Sequence, residues 1–216
     1  MKSKILVDCF LGFNELALAE FRIEYLSDYV SYTLIAESAL THAGSPKKLF
    51  FREWLEKNRH RYPNVQIVKL DLRKYKNARE REDCSREELM AFATHKFPKA
   101  RFILSDIDEI PSKTQVSKFM DSEGNFNFTS PTFFRFANWK VQDCEHTNWR
   151  KGVMGNAQLS KFKNGGRNMN FPLLFNCSPG IHFSYGVRSK DSISLKIKSF
   201  SHQELNFEEL TSSATQ

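Results

Sequence analysis

Asp106, Asp108 and Glu109 place three carboxylates within four positions, in the string RFILSDIDEIP that runs from Arg101 to Pro111. Carboxylates this close repel one another unless a cation neutralises them, and hard oxygen donors of this kind suit Mg²⁺ or Mn²⁺. The stretch therefore reads as a site for a metal and a diphosphate. The alternative is a strand that ends in a solvated acidic turn, which is how most isolated Asp-x-Asp strings behave. Phe102, Ile103 and Leu104 precede the acids and lie between Pro98 and Pro111, which predicts a short buried strand. The acids then fall at the carboxyl edge of a sheet, where open α/β folds place their ligands.

The elements ahead of this strand must build that sheet. Ile5 to Asp8 reads as strand one, with Cys9 and Phe10 continuing it to a turn at Gly12, and Glu15 to Leu26 carries apolar residues at helical spacing. Val30 to Ala36 reads as strand two, and a helix follows from Pro46 to about Arg61. Val65 to Leu70 is strand three, and the charged run Lys74 to Glu88 opens a helix whose later residues Leu89, Met90, Phe92 and Ala93 are its buried face. This β-α-β-α-β-α-β alternation predicts an α/β fold with a central, mostly parallel sheet and helices on both faces. After a short helix from Lys113 to Met120, the segment Asn125 to Val141 is rich in Phe and Trp and reads as one or two strands. Gly180 to Tyr185 reads GIHFSY with no element assigned to it, Ser189 to Leu205 reads as a last helix, and the tail from Glu208 frays.

With 216 residues, 40% hydrophobic content and 20 Phe, the chain reads as one globular domain: residues 1–111 form the ligand half, 112–206 a second half and 207–216 a tail. No apolar run approaches the ~20 residues of a membrane span, and Asp8, Asn14 and Glu15 interrupt what would be the core of a signal peptide. The expectation is a soluble, cytoplasmic protein with no integral membrane segment. Cys9, Cys84, Cys144 and Cys177 show no C-x-x-C pairing, so reduced thiols are expected. A net charge of +7 favours anionic partners. Lysines and arginines are dispersed with no block of five or more, which argues against a nucleic-acid partner.

Several blocks, in this order, resemble glycosyltransferase family 17: DCFLGFNELALAEFRIEYL, IAES followed by THAGSPKKLFF, EREDCSREEL, ILSDIDEIPS, GIHFSY and KIKSFSHQELN. The similarity runs from about Asp8 to Asn206. It implies a GT-A-type, Rossmann-like nucleotide-binding fold with a DxD strand, and inverting transfer of N-acetylglucosamine or a related sugar from a UDP-sugar to a glycan or glycoconjugate hydroxyl. Members of the family usually carry Trp where this chain has Ile181, and Trp-Glu-Arg-Glu where it has Arg79 to Glu82.

On that resemblance Asp108 is a direct ligand of Mn²⁺ or Mg²⁺, with Asp106 beside it contacting the ribose or a metal-bound water, and Glu109 is a third ligand or else caps the turn or pairs with a lysine. The ion would bridge the two phosphates and stabilise the UDP leaving group. His202 is a further metal or phosphate contact, or else a surface histidine; His182 is a substrate contact or a satisfied core histidine. The base that inversion requires is one of Glu204, Glu145, Asp143 and Asp191. Arg86, in the block before the acidic strand, approaches the nucleotide sugar or pairs with Glu82 one helical turn away. Asn14, Glu15 and Glu37 follow strands one and two at the ligand edge and are placed to contact the nucleotide, with helix capping the alternative for Asn14. Lys47 and Lys48 serve the diphosphate or solvate a helix, and Trp139 and Trp149 are core or an acceptor-stacking platform.

Two rival functions use the same residues. DIDEI can be the nucleophile motif of a haloacid-dehalogenase-type phosphatase, with Asp106 forming an aspartyl-phosphate. That motif normally follows the first strand and is completed by a late acidic pair, whereas here it follows strand four and the chain has no Asp-Asp pair. The basic, aromatic second half can instead be a non-catalytic module that binds glycan or nucleic acid.

Overall fold

The computed structural model describes residues 5–134, 140–141, 148–184 and 198–199. The first half alternates as expected: β1 (Leu6–Leu11), α1 (Leu16–Leu26), β2 (Tyr32–Ser38), α2 (Phe50–Asn58), β3 (Val65–Leu70), α3 (Ala78–Lys96) and β4 (Arg101–Asp106). After the acidic turn come β5 (Glu109–Ile110), α4 (Lys113–Asp121), β6 (Phe126–Asn127), β7 (Ser130–Phe134), β8 (Asn148–Trp149), β9 (Val153–Gly155) and β10 (Ile181–Ser184). The main sheet has the order β3-β2-β1-β4-β9-β6. Its first four strands are parallel, and β9 and β6 close it with antiparallel pairs. A second sheet, β5-β10-β7-β8, starts from the residues just after Asp108.

The two-residue period of a strand decides what each side chain meets. Val7, Cys9, Leu34, Ala36, Phe102 and Leu104 face α3 and pack on Leu89, Met90 and Ala93. The residues between them face the other way, where Phe10 and Ile35 meet Ala19, Phe51 and Trp54, while Leu6 and Ile103 meet Leu26, Val116 and Phe119. Helices thus cover both faces, which is the fold class the sequence predicts. The same period carries past the apolar residues. Asp106, two positions after Leu104, faces α3, whereas Asp8 and Ser105 face α1 and meet Arg22.

Two segments differ from expectation, and a third falls mostly outside the described residues. Pro46 does not open a helix; it bridges back to Leu40, and α2 begins at Phe50. The reason is Glu37, whose carboxylate accepts the backbone N–H groups of Phe51 and Arg52 at 2.9 and 3.0 Å and so caps the helix from a neighbouring strand. Helix α3 begins at Ala78, where the Asn77 side chain accepts the Glu80 N–H at 2.8 Å; the residues Leu72–Lys74 before it form a separate 3-10 turn. The expected final helix lies outside the described residues except for Lys198 and Ser199.

Candidate active site

Beyond the carboxyl ends of β1, β2 and β4 lies a cleft of about 460 Å³. Leu11, Ala36, Ser38 and Asp106 line it, all from the sheet face turned toward α3. Its floor is an ionic chain that runs through the acidic turn. Arg86, from α3, donates to Asp106 Oδ1 at 2.7 Å, to Glu82 Oε1 at 3.0 Å and to Asn164 Oδ1 at 3.2 Å. Arg167 donates to Asp106 Oδ2 at 3.0 Å and to both oxygens of Glu109 at 2.6 and 2.7 Å. Asn164 adopts a left-handed conformation (φ 53°) in the 3-10 turn Lys163–Gly166, and that turn delivers Arg167 to the cluster. Burial disfavours the charge on both arginines. Asp106 with Glu82 at Arg86, and Asp106 with Glu109 at Arg167, outweigh it, so both pKa values stand above the ordinary arginine range.

The chain of contacts continues from Glu109 into the second sheet. Trp149, on β8, donates its indole N–H to Glu109, and its ring lies 4.9 Å from that of His182 on β10. His182 Nδ1 in turn lies 3.2 Å from Thr132 Oγ1 on β7. Trp149 also borders the cleft. One buried carboxylate therefore links an arginine on the cleft floor to an aromatic residue on its wall.

Arg22 holds the acidic turn from below. It is fully buried, donates to both oxygens of Asp8 at 2.8 and 2.6 Å, and donates from Nη1 to the backbone oxygens of Asp106 and Glu109 at 2.7 and 3.1 Å.

The structure brings Asp106, Asp108, Glu15 and Arg86 to the cleft. It gives other expected residues different work. Glu109 is 1% exposed and both its oxygens accept from Arg167, so it anchors the cluster where a metal ligand was expected. Glu37 faces α2 because β2 runs on to Ser38, which turns its carboxylate to the sheet face opposite α3. Lys48 is exposed and does not border the cleft, whereas its neighbour Lys47 does, with Nζ 3.7 Å from Glu37 and 5.5 Å above the Phe13 ring. Burial lowers the Lys47 pKa and raises that of Glu37. The side chain of Asn14 does not cap α1; Glu15 stands at the cap position and accepts the N–H groups of Phe13 and Asn14. Asp143, Glu145, Asp191, His202, Glu204 and Trp139 lie outside the described residues. Sequence reasoning missed Arg22, Arg167 and Asn164.

His42 also borders the cleft. Burial lowers its pKa from 6.5 to about 4, with Glu82 and Asp106 pulling it up and Arg86 pushing it down. Between these two values the unfolded chain binds more protons than the folded one, so stability is fully present above the unfolded pKa and is lost as pH falls toward 4. His42→Gln is expected to flatten that loss, which in the parent is at most about 3 kcal/mol. Urea midpoints measured from pH 7 to pH 4 check this; parallel curves for parent and variant would show that the imidazole is protonated freely in the folded state.

The family model for glycosyltransferase family 17 matches residues 1–214. No curated protein sequence matches the chain. Among solved structures it is similar to HddC from Yersinia pseudotuberculosis, with 13% identity over 85% of this chain and 91% of that one at a TM-score of 0.41. It is also similar to the inositol-1-phosphate CTP transferase of T. maritima, with 9% identity, 85% and 86% coverage and a TM-score of 0.41. A glycosyltransferase involved in glycosylation of the major capsid of PBCV-1 matches at 14% identity over 76% and 68%, with a TM-score of 0.36. With the family model spanning nearly every residue, from the first strand through the acidic turn to the segment beyond β10, the chain belongs to glycosyltransferase family 17.

Proposed function

We propose that the protein transfers a sugar, N-acetylglucosamine being the one its family resemblance implies, from a UDP-sugar to a glycan hydroxyl with inversion, and that Asp108 and Asp106 hold a divalent ion at the donor. The observation that carries this reading is the position of both aspartates in a cleft at the carboxyl edge of the parallel strands, beside Arg86, Arg167 and Lys47. Family membership sets the phosphatase reading aside.

The donor set suits a divalent ion by its carboxylate oxygens. In the cluster the carboxylates of Glu82, Asp106 and Glu109 pair with the guanidiniums of Arg79, Arg86 and Arg167, and Asp108 brings a fourth carboxylate to the same cleft. Asp108 and Asp106 offer hard oxygens to the cleft, and Mn²⁺ or Mg²⁺ is the matching cation. Among the described residues no three His, Cys, Asp or Glu side chains form a complete metal set, so substrate phosphates and water would supply the remaining ligands. Such an ion, when bound, supplies Lewis-acid stabilisation of the departing diphosphate.

The chain's own residues orient the donor. Arg86, Arg167 and Lys47 present positive charge where the phosphates lie. Trp149 offers a ring to a sugar face, with Glu109 and His182 fixing its orientation. A carboxylate among Asp143, Glu145, Asp191 and Glu204 takes the proton of the acceptor hydroxyl as its oxygen attacks the anomeric carbon. Release of UDP from a panel of UDP-sugars, with Mn²⁺ and with EDTA, tests the reading. Slow hydrolysis that prefers one sugar and requires the ion is expected. If the protein binds glycans but turns over none of the UDP-sugars, it is a binding module on a transferase fold.

A further inference from the structure

Asp106 lies across two guanidiniums, with Arg86 on Oδ1 at 2.7 Å and Arg167 on Oδ2 at 3.0 Å. Each arginine also has an inner carboxylate, Glu82 at 3.0 Å from Arg86 and Glu109 at 2.6 Å from Arg167. The exposure of these side chains orders them: 1% for Glu109, 16% for Glu82 and 32% for Asp106. Asp106 is the outer partner of both arginines, on the side of the cleft. Arg86 is further tied to Asn164, and its Nε is buried with no hydrogen-bond partner among the described residues.

A carboxylate that spans two guanidiniums stands where a phosphate group can stand, since each arginine gives it one Nη2 donor and a guanidinium N–H donates to a carboxylate or a phosphate oxygen alike, while Arg167 keeps its two-point contact for Glu109. The inner carboxylates would keep both arginines charged and in place if the outer one moved away. We propose that Arg86 and Arg167 form a seat for the diphosphate of the nucleotide donor, and that Asp106 holds their place until phosphate oxygens take it over. This rests on the nucleotide-sugar reading above. The exchange breaks no covalent bond: one anion replaces another on the same donors, and Asp106 is released toward Asp108. Asp106 is then a positioning residue for the arginines as well as a neighbour of the metal.

The proposal reverses the sign expected of a simple donor contact. If Asp106 only touched ribose, Asp106→Asn would weaken nucleotide binding whether or not metal is present. As a competitor for the arginines, Asp106→Asn should strengthen UDP binding in EDTA by about fivefold or more, since a neutral amide yields its place more readily than a carboxylate. Arg167→Lys keeps the charge but cannot hold both Glu109 oxygens and still donate to the cleft, and should cut the preference for UDP over UMP in EDTA by about tenfold, with UMP binding changed much less.

The experiment is calorimetric titration of UDP and UMP into parent, Asp106→Asn and Arg167→Lys proteins, in EDTA and in Mn²⁺ at fixed ionic strength. Pyrophosphate should also raise the melting temperature of the unmodified protein in EDTA more than sulfate does at equal ionic strength, a result that needs no variant to fold. Weaker or unchanged UDP binding by Asp106→Asn in EDTA, an unchanged UDP preference in Arg167→Lys, or no excess protection by pyrophosphate overturns the arginine seat. If the parent binds none of UDP, GDP, CDP and dTDP even with Mn²⁺, the nucleotide-sugar reading falls and takes the seat with it. Binding of UDP by the parent in Mn²⁺ without the reversed sign overturns the seat alone.

Discussion

Arg22→Met is expected to lower the free energy of unfolding by about 3–5 kcal/mol, the cost of removing one partner of a buried ion pair. Methionine fills a similar volume, so the loss is chiefly electrostatic. Asp8 would be left fully buried without its guanidinium, and the backbone oxygens of Asp106 and Glu109 would lose the Nη1 donor they share. The Ser105 hydroxyl loses a donor at 2.9 Å, and the Phe10 ring loses a cation 4.6 Å from its centroid. Urea unfolding would show a lower midpoint with little change in slope. Pairing the change with Asp8→Leu should recover part of the loss, because taking out both charges removes the uncompensated one. A single-variant loss under about 1 kcal/mol would mean that water reaches Asp8 once the arginine is gone. The same variant should disturb the site, since Arg22 holds the backbone of the turn that carries Asp106 and Asp108.

This arginine also shows where sequence reading stops. Within LALAEFRIEYL a charged residue reads as part of a helix's solvent face, and nothing local says that Arg22 points inward to an aspartate fourteen positions away. The strands were legible because their apolar runs are long and flanked by helical spacing, and β3 was placed residue for residue at Val65–Leu70. After Pro111 the strands among the described residues span two to five residues, too short for any period to stand out. Glu37 shows how a small boundary shift changes a role. Strand two was expected to stop at Ala36; because pairing with β3 continues to Ser38, the period assigns Glu37 to the face opposite α3 and Ser38 to the cleft.

The acidic turn was legible because its carboxylates are adjacent in the chain, and their mutual repulsion pointed to a metal cation there. The arginines that pair with the turn were not legible. One of the two, Arg167, lies 61 positions from Asp106 in a Gly-Gly-Arg-Asn string that reads only as a flexible turn. The left-handed Asn164 was the one available hint, since asparagine beside paired glycines favours a backbone that can fold a basic residue back toward the sheet. Glu109 was grouped with the metal ligands by proximity in sequence. Its pairing with His182 in the second sheet instead puts it on the inner side of the cluster, under Arg167.

With Asp106 and Glu109 each carrying a guanidinium, the largest effect on activity is expected at Asp108. It borders the cleft at 7% exposure, and its backbone oxygen accepts the Phe183 N–H at 2.9 Å, which fixes the turn against β10 whatever the side chain is. Asp108→Ala should therefore leave that backbone contact in place while removing the carboxylate offered to a divalent ion. Turnover of the preferred UDP-sugar is expected to fall by about 10²–10³-fold or more, the usual cost of deleting one preorganised stabiliser of developing charge. UDP binding in EDTA should stay close to the parent value, because the arginine cluster is untouched, while the gain in binding on adding Mn²⁺ should vanish. That pairing separates a lost metal ligand from a collapsed site, which would weaken binding in both conditions. Asp108→Asn keeps the shape and one neutral oxygen, so it should retain a fraction of the Mn²⁺ response that alanine lacks. If the alanine variant still gains UDP affinity from Mn²⁺ as the parent does, the ion is held elsewhere, and Asp108 serves the cleft by its charge alone.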